Sequence, residues 1–176
     1  MSVNIENALK ITGWMEDHSL VWLAEQAAIH NSIVEVGCWR GKSTTCLADN
    51  TSGIVYAVDH WKGSEEHQPV DEEKLYQMFL DQMAPYISAG KVVPLRMSST
   101  EAAAKLASQG LTFDFVFIDA SHDYPSVCAD INAWKPLIRP GGLFCGHDAG
   151  YDPVERAAND LLPTNKHVGS MWVVYL

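Results

Sequence analysis

Glu35-Val36-Gly37-Cys38-Trp39-Arg40-Gly41-Lys42-Ser43-Thr44 follows directly on Ser32-Ile33-Val34. A short β-branched run that ends in glycine is how a buried parallel strand meets its loop. A helix is expected next, capped by Ser43 and continued by Thr44 to Ala48. Loops of this kind sort by ligand. Dinucleotide binding needs G-x-G-x-x-G so that backbone can approach a pyrophosphate, but the second position after Gly37 is the bulky Trp39. A phosphate-binding P-loop is the stronger rival, because Gly41-Lys42-Ser43 imitates the end of G-x-x-x-x-G-K-[ST], and Phe115 to Asp119 imitates the strand that ends in a magnesium-binding Asp. Only three residues separate Gly37 from Gly41, however, so the loop is one residue short of wrapping a β-phosphate.

Outward from this junction the chain alternates. Apolar positions at helical spacing between Asn4 and His30, interrupted near Asp17 and His18, predict two N-terminal helices packed on the core. Strands are expected at Gly53–Val58, Lys91–Leu95, Phe113–Ile118 and Gly142–Cys145, with Met171–Tyr175 as an apolar strand at the C-terminus. Between them lie helical stretches at Asp71–Ser88, Ser99–Ser108, Tyr124–Leu137 and Pro153–Leu162. Such alternation implies right-handed βαβ units in an α/β, Rossmann-like fold. The expected sheet is mostly parallel, of six or seven strands, with helices on both faces and an antiparallel C-terminal strand. One domain spans residues 1–176. The segment His60–Val70, rich in charge and histidine, is the one loop of some length, and such loops flank sites.

Bulk properties narrow the partners. At 176 residues, 47% hydrophobic and 19% charged, the chain suits one soluble domain that buries roughly two thirds of its unfolded surface. A net charge of −10, with Arg40 and Lys42 as the only close basic pair, argues against nucleic acid. Cys38, Cys46, Cys128 and Cys145 form no C-x-x-C pair and read as reduced, mostly buried thiols. Residues Met1–Lys10 lack the basic start and apolar run of a signal peptide, and no stretch nears the ~20 apolar residues of a membrane span. A cytoplasmic protein with a small-molecule substrate is expected. Trp14 and Trp22 on the N-terminal helices mark either a homo-oligomer interface or plain core cover.

With dinucleotide and P-loop ligands disfavoured, Glu35-x-Gly37-x-x-x-Gly41 resembles the first motif of class I S-adenosylmethionine-dependent methyltransferases. That cofactor presents an ammonium, a sulfonium, a carboxylate and a ribose diol. An acidic residue in the strand suits a cation, Gly37 and Gly41 allow close backbone approach, and loop N–H groups, with Trp39 between them and Ser43 at a helix N-terminus, suit the carboxylate. Asp59, at the tip of the second strand and 22 residues past Gly37, is placed to accept both ribose hydroxyls. Ser98 and Ser99 stand where such enzymes contact adenine, although plain helix capping explains them as well.

The resemblance sharpens at Asp114-Phe-Val-Phe-Ile-Asp119-Ala-Ser-His122-Asp123-Tyr124, followed by Asp130, Trp134, Pro140-Gly141-Gly142 and Gly146-His147-Asp148. From about Leu20 to the end, the series is similar to small methyltransferases related to macrocin O-methyltransferase and cephalosporin hydroxylase, and distantly to catechol O-methyltransferase. The resemblance implies O-methylation of a small-molecule hydroxyl. It also implies a divalent ion, Mg2+ or else Mn2+, at Asp119, His147 and Asp148, with Asp119 also touching the cofactor. His147 departs from the pattern, because related enzymes present an acidic residue there and imidazole is a poor magnesium ligand. Without metal, Asp119 and Asp148 would simply line the cofactor pocket.

His122, three residues past Asp119, is the expected general base, its ordinary pKa of about 6.5 suiting that role. Its plain alternative is to cap the helix that follows. Asp130 and Trp134 lie four apart on one helix face and fix that helix to the sheet. His60 and His67, with Trp61, border either the acceptor pocket or solvent. Three other functions compete: a nucleotide-binding NTPase, a non-catalytic module that binds S-adenosylmethionine, and the non-methylating activity that a cephalosporin hydroxylase relative would carry.

Overall fold

The computed structural model describes residues 2–63 and 71–176. Seven strands form one sheet in the order β3-β2-β1-β4-β5-β7-β6. In chain order they are β1 (Ser32–Val36), β2 (Ile54–Asp59), β3 (Val92–Arg96), β4 (Phe113–Ile118), β5 (Ile138–Gly146), β6 (Lys166–Val168) and β7 (Met171–Tyr175). The first five are parallel neighbours, and β7 runs antiparallel to β5 and β6. The mostly parallel α/β sheet and its antiparallel C-terminal strand are as the sequence led us to expect.

Alternation along each central strand feeds two cores. Ile33, Ala57, Phe115 and Phe117 point to one face, covered by α1 (Glu6–Leu9), α2 (Asp17–Ala27), α3 (Lys42–Asn50) and α4 (Glu72–Ser88). Val34, Val36, Val58 and Val116 point to the other, covered by α5 (Ser99–Ser108), α6 (Tyr124–Trp134) and α7 (Asp152–Leu161). Strands sandwiched in this way are apolar on both sides, which is why their sequences read as continuous β-branched and aromatic runs. No helix among the described residues is long and apolar enough to cross a membrane.

Four local expectations are corrected. The helical break in the N-terminal segment falls earlier, across Lys10–Glu16, and Asp17 opens α2. Ser43 does not cap α3: Gly41, at φ 88°, is the N-cap, and Ser43 lies inside the first turn. β6 is a strand the sequence did not suggest, because three exposed residues at a sheet edge carry no apolar alternation. Trp14, expected on an N-terminal helix, lies between α1 and α2, where it stacks on Trp39 with ring centroids 4.3 Å apart, while Trp22 packs against the core beneath α2.

The strand order reverses between β1 and β4. At such a switch point neighbouring loops diverge and open a crevice beyond the carboxyl ends of the strands. The crevice here is bounded by the loops after β1, β2 and β4.

Candidate active site

An open cleft occupies that crevice. Its floor is the β1 loop. Gly37 adopts φ 91° and Gly41 φ 88°, and between them Trp39 is also left-handed at φ 45°. The carboxylate of Asp59 stabilises this shape. Its Oδ2 accepts from the backbone N–H groups of Cys38 (3.0 Å) and Trp39 (2.8 Å), and its Oδ1 accepts from Trp61 (2.6 Å). The Trp61 indole is buried and donates to the Trp39 carbonyl at 2.8 Å, which fixes the loop from below.

These bonds exclude a P-loop on geometric grounds. The N–H groups that would cradle a phosphate already hold a carboxylate, which would repel one. Lys42, the counterpart of the phosphate-binding lysine, instead sends Nζ to the carbonyls of Met15 (2.8 Å) and Gly13 (3.3 Å). It thereby pins the segment between α1 and α2 across the cleft, where Gly13, Trp14 and Met15 form one wall. Of the loop N–H groups expected to meet the cofactor's carboxylate, those of Cys38 and Trp39 are taken by Asp59.

Glu35 lies beneath this floor, wholly buried. Thr44 donates its hydroxyl to Oε2, while Oε1 has no partner. Burial pushes its pKa up to about 7, against the hydrogen bonds of Ser43 and Thr44. A carboxyl whose folded pKa lies above its ordinary 4.5 stabilises the fold fully below that value and loses the contribution as pH rises through about 7. Glu35→Gln is therefore expected to stabilise the ligand-free protein by roughly 3 kcal/mol at pH 8.5 and not at pH 4.5. Urea denaturation of both proteins at the two pH values checks this; a pH-independent difference would contradict it.

Asp119, Ala120, Ser121 and His122 carry the opposite wall, after β4. The same four residues separate the cleft from a smaller hollow bordered by His147, Asp148 and Trp172. His122 Nε2 stands 3.1 Å from Asp148 Oδ2, and the exposed Tyr151 presents its ring edge-on to His122 at 6.1 Å between centroids. Asp148 is left-handed at φ 59°. Donor atoms of Asp119, His122 and Asp148 all lie within 4.8 Å of one another, a separation that fits the shell of a divalent cation.

His147, expected as the third metal ligand, stands beside these three, its Nδ1 3.8 Å from Asp119 Oδ1. Its Nε2 faces Ser170 Oγ (2.9 Å) and Glu16 Oε2 (3.4 Å), and its Nδ1 faces Asp148 Oδ2 (3.2 Å). Burial alone would lower the His147 pKa, but the hydrogen bond to Asp148 and the charges of Asp119 and Asp148 outweigh it and raise it to about 9. Asp148 is held well below the ordinary carboxylate range; burial opposes this, and hydrogen bonds from His122 and His147 prevail. Burial raises Asp119 to about 6, with the charge of His147 acting against it.

Ser98 and Ser99, expected at adenine, are spent elsewhere and do not line the cleft. Ser98 caps α5 in a reciprocal box with Glu101, and Ser99 Oγ accepts from the Trp134 indole at 2.9 Å. Trp134 and Asp130 are buried and fasten α6, as their spacing suggested. His60 borders the cleft, whereas His67 lies outside the described residues. Cys38 also borders it, but burial pushes its thiol pKa up, so it offers no nucleophile. The roles of Lys42, Glu16 and Ser170 were not foreseen.

A family model described as a methyltransferase domain matches residues 34–149, from β1 through the loop after β5. A Sinorhizobium fredii protein named only as uncharacterized is 29% identical over 133 residues, which are 73% of this chain and 14% of that protein; the chain thus spans a small part of its relative's length. Among solved structures, the Bacillus cereus O-methyltransferase in complex with SAH aligns at a TM-score of 0.73 and 18% identity, covering 98% of this chain and 90% of that one. The O-methyltransferase TomG from Streptomyces achromogenes, in complex with SAM, aligns at 0.70 and 18% identity, covering 92% and 81%. At these identities the structures share the fold with this chain.

Proposed function

The chain belongs to the methyltransferase-domain family, and on that premise we propose that it moves the methyl group of S-adenosylmethionine onto a hydroxyl of a small molecule. The observation that carries this is the acidic character of the cleft. Asp59 and Asp119 line it, Glu35 lies beneath it, and the Lys42 ammonium in its wall is engaged by backbone carbonyls. Such a lining suits a cationic, phosphate-free nucleoside and opposes a nucleotide. The structural relatives bound to SAH and SAM support the same choice of ligand.

Bound there, S-adenosylmethionine would supply an electrophilic methyl group on a sulfonium. Asp59 holds the ribose. A carboxylate offers about four lone-pair sites, and three N–H donors already use Asp59, so the remaining capacity lies on Oδ1 and the expected grip on two hydroxyls narrows to one. Gly37, Trp39 and Ser43 form the surface under the methionine portion. Trp14 and Met15, held by Lys42, cover it and keep water from the reacting atoms.

Across the cleft, His122 is the proton acceptor of the cation-free site. The acceptor oxygen forms its bond to the methyl carbon as the carbon–sulfur bond breaks, and the hydroxyl proton passes to the imidazole. Asp148, 3.1 Å from Nε2, orients the ring and stabilises the charge it gains. Asp119 and Asp148 would hold a divalent ion, Mg2+ or Mn2+, which would lower the pKa of a bound hydroxyl and fix it in place.

Isothermal titration distinguishes this proposal from its rivals. We expect micromolar binding of S-adenosylmethionine and no binding of ATP with Mg2+. ATP binding without S-adenosylmethionine binding would overturn it in favour of an NTPase. Transfer of labelled methyl to members of a phenol, catechol and sugar panel separates an enzyme from a module that only binds the cofactor.

A further inference from the structure

We propose that Lys42 is a positioning residue of the cofactor cleft: through the backbone carbonyls of Gly13 and Met15 it latches the segment 12–16 across the cleft, and so sets how fast a bound cofactor leaves. The inference rests on the methyl-transfer proposal for the identity of that cofactor, but the latch itself is measurable without any ligand.

The placement of Lys42 is the first argument. It opens α3 directly after the N-cap Gly41, and a helix N-terminus favours acidic side chains over a cation. The ammonium is instead satisfied across the cleft, Nζ donating to the carbonyls of Met15 (2.8 Å) and Gly13 (3.3 Å). Hydrogen bonds with an ionised donor are among the stronger ones a protein makes.

Gly13 supplies an independent observation. A Cβ there would stand 2.9 Å from Lys42 Cδ and 3.2 Å from Lys42 Cβ, so the lysine stem runs directly against the bare α-carbon. Gly13 is not among the glycines with positive φ, so the position uses close approach and not conformational freedom. Carbonyls on one side and an α-carbon without a side chain on the other fit this segment to one partner, Lys42.

Both flanks of the segment are fixed. The backbone N–H of Asn4 donates to the Asn50 side chain (2.8 Å), which returns a bond to the Asn4 carbonyl (2.6 Å), and Asn7 donates to Asp49 (3.0 Å), so α1 is bolted to α3. On the other flank α2 buries Leu20, Leu23 and Ala24 in the core, and Glu16 accepts from Ser170 Oγ at 3.3 Å, in the turn between β6 and β7. Between these anchors residues 12–16 form neither helix nor strand. Gly13, Trp14 and Met15 stand over the floor on which the amino-acid end of the cofactor is to lie. A short irregular span between fixed ends opens by local release, and the bonds from Lys42, with the Trp14 stack on Trp39, are what release must break.

The rival reading is that the ammonium pairs directly with the cofactor's carboxylate. A direct contact exists only when the ligand is bound, so its removal leaves the ligand-free segment as it was; loss of a latch does not. Limited chymotrypsin digestion of the ligand-free full chain, with the fragment ending at the exposed Trp14 followed by mass spectrometry, separates the two. Lys42→Met, which keeps the stem and loses the donors, should be cut at Trp14 about tenfold faster than the wild type, and Lys42→Arg, which keeps donors, near the wild-type rate. General unfolding would speed cutting at many sites and not at this one alone. Gly13→Ala, whose added carbon presses on Lys42, should also be cut faster with Lys42 intact, which keeps the latch testable where Lys42→Met fails to fold. In stopped-flow displacement SAH should leave Lys42→Met about tenfold faster, with Lys42→Arg again restoring the rate. Equal cutting of Lys42→Met and the wild type, Lys42→Arg cut as fast as Lys42→Met, or faster cutting with unchanged SAH release would each overturn the proposal. Failure of SAH to bind the wild-type protein would count against the methyl-transfer proposal, while the cutting rates still judge the latch, so the two failures are distinguishable.

Discussion

Gly37→Ala is expected to destabilise the protein by about 3–5 kcal/mol and to abolish binding of S-adenosylmethionine. A Cβ at Gly37 would stand 1.9 Å from the Asp119 carbonyl oxygen and 2.9 Å from Ala120 Cα, and backbone cannot yield as a flexible side chain does. The φ of 91° adds roughly 1–2 kcal/mol for a residue with a Cβ. The clash falls where β1 and β4 are tied together, Asp119 donating its N–H to the Val36 carbonyl at 2.8 Å. Relieving it would part the two loops that hold the cleft. Gly110→Ala is the control: it shares a left-handed φ of 72° but has nothing within 4 Å of the added carbon, so it should cost only about 1 kcal/mol. Denaturation midpoints of the two variants, with SAH titrations, check the contrast. Equal effects would mean that the junction of β1 and β4 is not packed as described.

Asp59→Ala should weaken SAH binding by about 100-fold or more, which is roughly 3 kcal/mol. The carboxylate acts twice. It accepts three backbone N–H bonds that hold the β1 and β2 loops in left-handed conformations at Trp39 and Trp61, and its remaining lone pair faces the cleft. Removal orphans partly buried donors as well as losing a ligand contact. Asp59→Asn keeps one carbonyl oxygen for Cys38 and Trp39 but turns an amine toward Trp61, so an intermediate loss is expected. Isothermal titration of both variants measures the order, and undiminished binding by Asp59→Ala would remove Asp59 from the site.

The framework was legible because it is written in local periodicity. β-branched runs ending at Gly37 and Asp59, separated by amphipathic helices, can satisfy their apolar faces in few ways. The edge strand Lys166–Val168 escaped because its residues are exposed and carry no pattern. At the site, residue types near strand ends were legible, and side-chain directions were not. Ser98 turns to its own helix cap and Ser99 to Trp134, 35 residues away. Loop length spoke against Lys42 as a phosphate ligand, but its actual partners, the carbonyls of Gly13 and Met15, could not be read from spacing. His147 and His122 were both visible as candidates. Not visible was Glu16 beside His147, 131 residues away, a partner that no spacing rule connects to it.

A crystal structure of the chain with SAH tests the central claim most directly. Density for the nucleoside should fill the cleft, with a ribose hydroxyl on Asp59 Oδ1, the amino-acid end over the Gly37–Ser43 floor and the sulfur facing the wall of Asp119 and His122. A cleft left empty in crystals grown with saturating SAH, or a ligand seated with its ribose away from Asp59, would contradict it.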